Sequence, residues 1–532
     1  MFPLLNWMIR RYKKKQQEHR AIAGNTDTDV AVLTNDQHSV SIGKDLIKNE
    51  QQLRQSFSQC SDVVFRKIPL PNMSEILIVF IDGLVDTKMI DESVLNPIIL
   101  GGSKEGGEAS NPEQLILTQR IPASNMKKAV SFTEVEKGLL SGNAAILVDK
   151  VPSALMIDMK GGASRSIEEP TSEGGIRGPR EGFTEMLRQN TAMVRRKIKS
   201  PKLKMESLVI GEYTQTDIVI SYIEGIAEEA VLQEVRSRLK DIQIDAILES
   251  GYIEEFIQDA PYSPFSTVQN TERPDTVAAS LLEGRVAIFI DGTPFVLIVP
   301  FTFWAGVQAA EDFYNPYLYA TATRLIRIIF LMASLFLPSV FIAIVNFHPQ
   351  MLPTSLALSF TQAREASPFP MVIEAFIMEG VFEGLREAGI RLPKAIGSAV
   401  SIVGALVIGQ AAVQAGIISA PIVIVVAGTG IASFTAPRYN VGYAFRMLRF
   451  PLLLCAGVFG LFGITIGTLA ILLHMVSLRS FGVPYMSPLA PVASVNMQDM
   501  IWRNPHWAMN KRPNLIGSRN PTRTPKGQKP KP

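Results

Sequence analysis

The stretch Leu325 to Phe347 reads LIRIIFLMASLFLPSVFIAIVNF and decides the fold class. Its length is about the ~20 residues that a helix needs to cross a hydrocarbon core. Its one charge, Arg327, lies in the first turn, so Arg327 and the preceding Arg324 are expected to snorkel toward headgroups. Pro338 interrupts the helical ladder, which predicts a kink whose freed carbonyl the surrounding bundle must satisfy.

Outward from this run, the second half of the chain is mostly apolar. Ala395 to Ile417 carries Gly397, Gly404 and Gly409, and Ile418 to Ala436 follows almost without a gap near Pro421, so the two read as a tight helical hairpin. Phe450 to Met475 reads as another span, in which Gly457, Gly460, Gly463 and Gly467 make a packing face, because lipid gives helices no hydrophobic drive to associate. Phe295 to Ala310 is apolar but short and holds Pro300, which fits a partly inserted element as well as a full span.

One helix differs from these. MVIEAFIMEGVFEGLREAGI, from Met371, carries Glu374, Glu379, Glu383 and Glu387, and the last three recur every fourth residue on one face. Facing lipid they would be costly, so the helix must lie at the interface, line a wet cavity or pair its acids. Arg386 neutralises one of them and leaves the series. Gathered around an axis, such a ring of carboxylates favours cations. The positive loops Arg386 to Lys394 and Arg438 to Arg449 both ask to face the cytoplasm, as do the two basic ends of the chain. Four spans return the tail to its starting side but put those loops outside. A fifth, the glutamate helix, repairs the loops and misplaces the tail.

The first half reads as water-soluble α/β. Glu75 to Ile81, Ala144 to Val148 and Val286 to Ile290 are strands that each run into an Asp-containing turn, three short echoes of one device that do not by themselves establish a duplication. Phe132 to Leu140 reads as a helix, as do Glu181 to Val194, Ala227 to Leu239 and Glu249 to Ile257, with strands at Ser207 to Gly211 and Asp217 to Ile223. The Gly- and Pro-rich Glu169 to Arg180 stretch divides two lobes, between which a small-ligand cleft is natural. The fold class is a two-lobed, multi-domain α/β soluble N-terminal domain followed by an α-helical transmembrane domain. Its parts are a basic, flexible arm (1–60), a first lobe (61–168), a second lobe (169–294), a helical membrane domain (295–476) and a basic tail (477–532).

Little in the chain suggests catalysis. A net charge of +3 over 532 residues gives no case for nucleic acid, although the basic ends suit phosphate headgroups of membrane lipid. Cys60 and Cys455 are too few for a disulfide framework or a thiolate metal cluster, and His19, His38, His348, His474 and His506 are scattered. The glycines at 101, 102, 106 and 107 lack the Gly-Lys-Ser/Thr end of a phosphate loop. Asp82 with Asp86, and Asp217 with Glu224, are isolated acid pairs. No enzyme, metal or cofactor is expected. Arg177, Arg180, Arg188, Arg195 and Arg196 form the densest basic patch, suited to an anion, a membrane face or an intersubunit surface.

Several passages resemble one family in the same order: IVFIDGLVD from Ile78, EGGIRGPREGFTEMLRQNTAMVRRKI from Glu173, EDFYNPYLYATATRLIRI from Glu311, LPTSLALSF from Leu352 and EAFIMEGVFEGLREAGIRLPKAIG from Glu374. Over Ser61 to Pro491 the chain is similar to the A subunits of GerA-type nutrient germinant receptors of spore-forming bacteria. The resemblance implies a spore inner-membrane, multi-pass protein that works with a transporter-like B subunit and a lipoprotein C subunit. It implies homo-oligomers of A subunits, pentamers, that open a cation pathway when a nutrient binds the complex. On that reading Glu374, Glu379, Glu383 and Glu387 serve the ion pathway or its entrance, Pro338 is the gating kink, and Arg177 and Arg180 couple the soluble and membrane parts. A membrane-anchored scaffold or signal-relay subunit without its own ion pathway, and a secondary transporter, are the alternatives.

Overall fold

The structure is a computed structural model, and it describes residues 40–69, 75–96, 126–161, 169–170, 173–391, 407–492, 499–513, 516–517, 519–525 and 527–530. The basic residues before 40, the glycine loop at 101–109, and Gly397 and Gly404 lie outside the described residues.

The first lobe holds helix α1 (Leu46–Ser56), strands β1 (Val63–Pro69), β2 (Glu75–Ile81) and β3 (Met126–Ala129), helix α2 (Phe132–Leu140), and strands β4 (Asn143–Val148) and β5 (Ala154–Asp158). The five strands form one antiparallel sheet in the order β1-β2-β4-β5-β3. The interior strand β2 is buried on both faces, which is why it reads as a continuous apolar run and not as an alternating one. In α1, Leu46 and Leu53 are buried in this lobe's core with Phe57, so the lobe begins before residue 61 and the expected arm is shorter than 1–60.

The second lobe holds α3 (Leu187–Lys197), β6 (Leu203–Ile210), β7 (Thr216–Ile223), α4 (Glu229–Lys240), α5 (Ser250–Ile257), β8 (Gln269–Thr271), α6 (Pro274–Glu283), β9 (Val286–Ile290) and β10 (Val296–Val299). Its sheet, β6-β7-β9-β10-β8, is antiparallel throughout and repeats the first lobe's order. The sequence repeats with it. LLSGNAAILVDK (Leu139 to Lys150) matches LLEGRVAIFIDG (Leu281 to Gly292), and IVFIDG from Ile78 matches ISYIEG from Ile220. Equivalent turns are held at positive φ by Gly83 and Gly225 (82° and 79°), Gly142 and Gly284 (88° and 100°), and Lys150 and Gly292 (68° and 87°). The lobes are therefore one folding unit used twice, and of the three echoes seen in the sequence Ala144 to Val148 and Val286 to Ile290 are its equivalent strands. The run from Phe295 begins as a strand of the lobe: β10 is fully buried, and a strand covered on both faces is as apolar as a short span. The second lobe accordingly extends past 294.

The lobes are locked together. A parallel bridge joins Cys60 to Met205, with Ser61 N and Met205 N each donating across it at 2.9 Å. The buried Arg195 of α3 clasps Asp62 through two hydrogen bonds of 2.9 and 2.8 Å. At Gly83 a Cβ would sit 3.0 Å from Ala192 Cβ and 3.0 Å from Arg188 O, so only glycine lets the first lobe's turn meet α3. Between the lobes lies an open groove near Cys60 and Met205, not a deep cleft.

The helical part comprises α7 (Tyr317–Phe347), α8 (Thr354–Arg364), α9 (Met371–Arg391), a helical stretch at 407–414, α10 (Ala420–Ser433) and α11 (Tyr439–Ser477). Both α7 and α11 are long and apolar enough to cross a membrane. The latter is not one rod. Gly460 has φ 60° and ψ −140°, a Cβ on Gly467 would lie 2.7 Å from Leu452 Cδ1, and Phe265 packs against both Phe445 and His474 at 6.3 and 6.2 Å. Residues fifteen apart touch only if the helix doubles back, so α11 is a hairpin with its tip at Gly460. The Phe450 to Met475 run expected as a single span is instead parts of two antiparallel legs, each about 25–31 Å long.

That turn sets the course of the chain through the helices. The α7 helix leaves the second lobe near Arg324 and ends at Phe347, against the hairpin tip. The α9 helix returns: Val372 lies against Gly457, and Arg386 reaches Ser433 and Phe434. Gly416 (φ 68°) turns the 407–414 stretch into α10, beginning beside Glu374 and ending beside Arg386, the tight hairpin expected there. The second leg of α11 then brings the chain back to the lobes. The tail does not project away: Tyr485 packs on Phe301 and Phe303, and Arg503 N donates to Thr321 Oγ1.

Candidate functional site

Helix α9 sits between α10 and the first leg of α11, and its acids face those neighbours one by one. Glu374 is buried and accepts from Ser419 N and Oγ, both at 2.8 Å, while its Oε1 has no partner. Glu379 is buried against Arg449 of α11, which also donates to Ser334 O of α7 at 2.8 Å, so one guanidinium ties three helices. Glu383 accepts two hydrogen bonds from Arg446, and Glu387, 61% exposed, pairs with Arg391 one turn on. Of the three routes open to these acids, pairing is what the helix uses for Glu379 and Glu383. Sequence reading weighed only Arg386. The signal was in YAFRMLRF: Arg446 and Arg449 stand one turn apart on α11, matching acids one turn apart on α9. In a low-dielectric interior such pairs are costly to break singly, by about 3–5 kcal/mol.

The adjoining face of α9 is open. Ile373, Ile377, Gly380, Gly384 and Glu387 are exposed, and neither glycine has any atom within 4 Å of where a Cβ would be. Pro338 lies buried within α7, while the backbone break falls at Gly460.

Below these helices, toward the lobes, a junction of charges joins soluble and helical parts. Arg324 and Arg327 of α7 do not snorkel: Arg324, fully buried, pairs with Asp312 at 3.3 Å and Asp499 at 3.1 Å, and Arg327 meets Asp312 at 2.9 Å. Burial pushes Asp499 up to about 6, and Arg324 opposes that shift. Glu173 is raised by burial in spite of Arg438, which sits at the start of α11 and reaches it at 3.2 Å. Arg273 holds Asp275 through two hydrogen bonds and donates to the carbonyls of Glu173 and Pro179, and Tyr314 OH donates to Asp275 at 2.6 Å. Burial works to raise the Asp275 carboxyl, but these donors hold it below its ordinary value.

Arg177 and Arg180 stand beside this junction with exposed side chains, and Arg180 lies 3.9 Å from Glu169. Of the rest of the basic patch, Arg188 lies 3.6 Å from Asp82 and Arg195 clasps Asp62, both in the first lobe. Asp86 caps a short helix at Lys88 and Met89, and Glu224 pairs with Lys204. No group of three or more metal-ligating side chains occurs among the described residues.

Comparison with known proteins adds identity to this geometry. Residues 51–515 match the model of the family described as Bacillus/Clostridium GerA spore germination protein. The chain is 47% identical to the uncharacterized membrane protein YfkQ of Bacillus subtilis, over 92% of this chain and 95% of that one. It is 45% identical to spore germination protein KA of the same organism, over 93% and 90%. A crystal structure of the N-terminal domain of the A subunit of the Bacillus megaterium spore germinant receptor GerK3 is 37% identical; it covers 50% of this chain and 98% of that one, with a TM-score of 0.39.

Proposed function

The chain belongs to the GerA-type family of spore germinant receptor A subunits, and from that premise we propose that it is a nutrient-receptor subunit whose helices form, between copies of the chain, a ligand-gated cation pathway. It works as a multi-pass protein of the spore inner membrane, with a transporter-like B subunit and a lipoprotein C subunit, as a homo-oligomer that the family resemblance suggests is a pentamer.

The observation that carries this reading is the open face of α9. Ile373, Ile377, Gly380 and Gly384 make it apolar and narrow, fit for close approach of a second copy, and Glu387 ends it with an exposed carboxylate that attracts cations at the mouth. The ion pairs Glu379–Arg449 and Glu383–Arg446 hold the closed arrangement. Gating then needs a ligand that binds the open arrangement better than the closed one, so that α9 turns and Glu383 leaves Arg446 for the pathway. The pull reaches the helices through Glu173 and Arg438, which join the segment between the lobes to the start of α11. Arg177 and Arg180, beside that contact, serve the coupling as surface contacts to a partner, and Pro338 serves as a bend that moves with α7.

A signal-relay subunit without its own pathway is the second reading, favoured by the arginine partners that already occupy Glu379 and Glu383. Potassium efflux from proteoliposomes holding the chain with its partner subunits separates the two. Nutrient-dependent efflux that requires this chain is the expected result; relay without efflux through the assembled complex would sink the pathway.

A further inference from the structure

A crevice of about 210 Å³ lies where the second lobe meets the helices, between the α6–β9 turn, Phe313 and Tyr314, and the start of α11. It opens into a neighbouring space of about 320 Å³ with which it shares Thr276, Gln308 and Arg438. Arg285, at 6% exposure, lines it, and its Nε has no hydrogen-bond partner. Its nearest carboxylate, that of Glu283, stays 3.8 Å away. Arg438 lines the same wall, and the two guanidiniums repel each other. Burying two like charges together is unfavourable, and although Arg438 has Glu173 as its counter-ion, Arg285 is a buried cation that lacks a hydrogen-bonded partner, which costs more.

The other charges on the wall do not settle the account. Arg273 and Asp275 close on each other. Arg523 stands 3.9 Å from Glu283, and Glu173 takes Arg438. Over the linings of both spaces Arg273, Arg285, Arg327, Arg438 and Arg523 against Glu173, Asp275, Glu283 and Glu311 leave one positive charge, which a singly charged anion balances and a dianion overshoots. Ala279, Ala305, Ala309 and Phe313 supply room for a short apolar tail.

We propose that this crevice binds a small monocarboxylate, its carboxylate forked on Arg285 and reaching Arg438, its short aliphatic end toward Ala305 and Phe313. Occupied, the site ties the second lobe's α6–β9 turn to the first residue before α11, so it stiffens the soluble-to-helical junction. The proposal does not depend on an ion pathway. A guanidinium offers a carboxylate two parallel donors, which is the geometry an orphaned Arg285 presents.

The test is calorimetric titration of the full-length chain in neutral detergent with sodium propionate, at constant ionic strength against chloride. Saturable binding is expected, at least tenfold weaker in Arg285→Gln and unchanged in Lys48→Gln, an exposed residue of the first lobe. Absence of saturable heat, equal affinity in Arg285→Gln, or preference for inorganic phosphate or glycerophosphoglycerol over propionate would overturn it, the last pointing to a lipid headgroup. Melting in chloride buffer without carboxylate guards against a folding artefact. Arg285→Gln removes an unpartnered buried cation, so it should melt at or above the wild type and lose the upward shift that propionate gives. A lower melting temperature would mean that Arg285 already has a partner within the protein, and the site would be withdrawn.

Discussion

Replacing Glu379 by glutamine removes one half of a pair that is buried at both ends, with Arg449 and Glu379 exposed by 1% and 0%. Arg449 would then keep Ser334 O as its hydrogen-bonded neighbour while its Nη2 remains without a partner. An uncompensated buried charge of this kind costs about 3–5 kcal/mol. For a helical domain of this size each kcal/mol moves the melting temperature by roughly 2–4 °C, so Glu379→Gln should melt about 6–20 °C lower. Arg449→Met should cost less, because the remaining carboxyl can take up a proton. The double variant Glu379→Leu/Arg449→Met replaces the pair with apolar volume and should recover to within about 1 kcal/mol of wild type. Thermal unfolding of the full-length chain in nanodiscs, run as a double-mutant cycle, reads the coupling. Additive single effects would refute the pairing and return α9 to an interfacial or solvated position.

Gly460→Ala puts a side chain at φ 60°, ψ −140° and 3.0 Å from the Phe347 ring, so it should destabilise the helical domain by about 1–3 kcal/mol, read as a lower melting temperature in detergent; an unchanged value would argue against the hairpin. Asp499, buried near Arg324, titrates at about 6, above its ordinary 3.8, so the folded state holds its proton more tightly. Stability therefore rises as pH falls through that window: going from pH 7 to 5 should strengthen tail docking by about 1 kcal/mol, and Asp499→Asn should abolish this component of the pH dependence of melting. Asp62→Asn leaves Arg195 buried and unpaired between the lobes, so trypsin should begin to cut at α3 under native conditions, whereas wild type resists.

The soluble half was legible because its strands and helices announce themselves locally. Glu75–Ile81 and Phe132–Leu140 were readable to the residue, and two lobes followed from the breaker-rich segment between them. What the sequence hid was long-range. That the two lobes repeat one topology became visible only when equivalent turns, at Gly142 and Gly284, were seen at equivalent places in the sheets. β10 was indistinguishable from an inserted segment because burial on both faces erases period-two alternation. Gly460 looked like one of four packing glycines, since composition does not say which glycine carries a positive φ. The acids of α9 were found, but their partners lie 63 and 70 residues away, and spacing within one helix cannot choose among distant arginines.

Cation selectivity measured as a reversal potential tests the central claim most directly. In a potassium chloride gradient, the assembled receptor containing this chain should show a nutrient-evoked, cation-selective current. Glu383→Gln/Glu387→Gln should carry a smaller, less selective one, and Arg446→Gln, which frees Glu383, should leak without nutrient. The same reversal potential and conductance in all three would contradict an ion pathway built on α9.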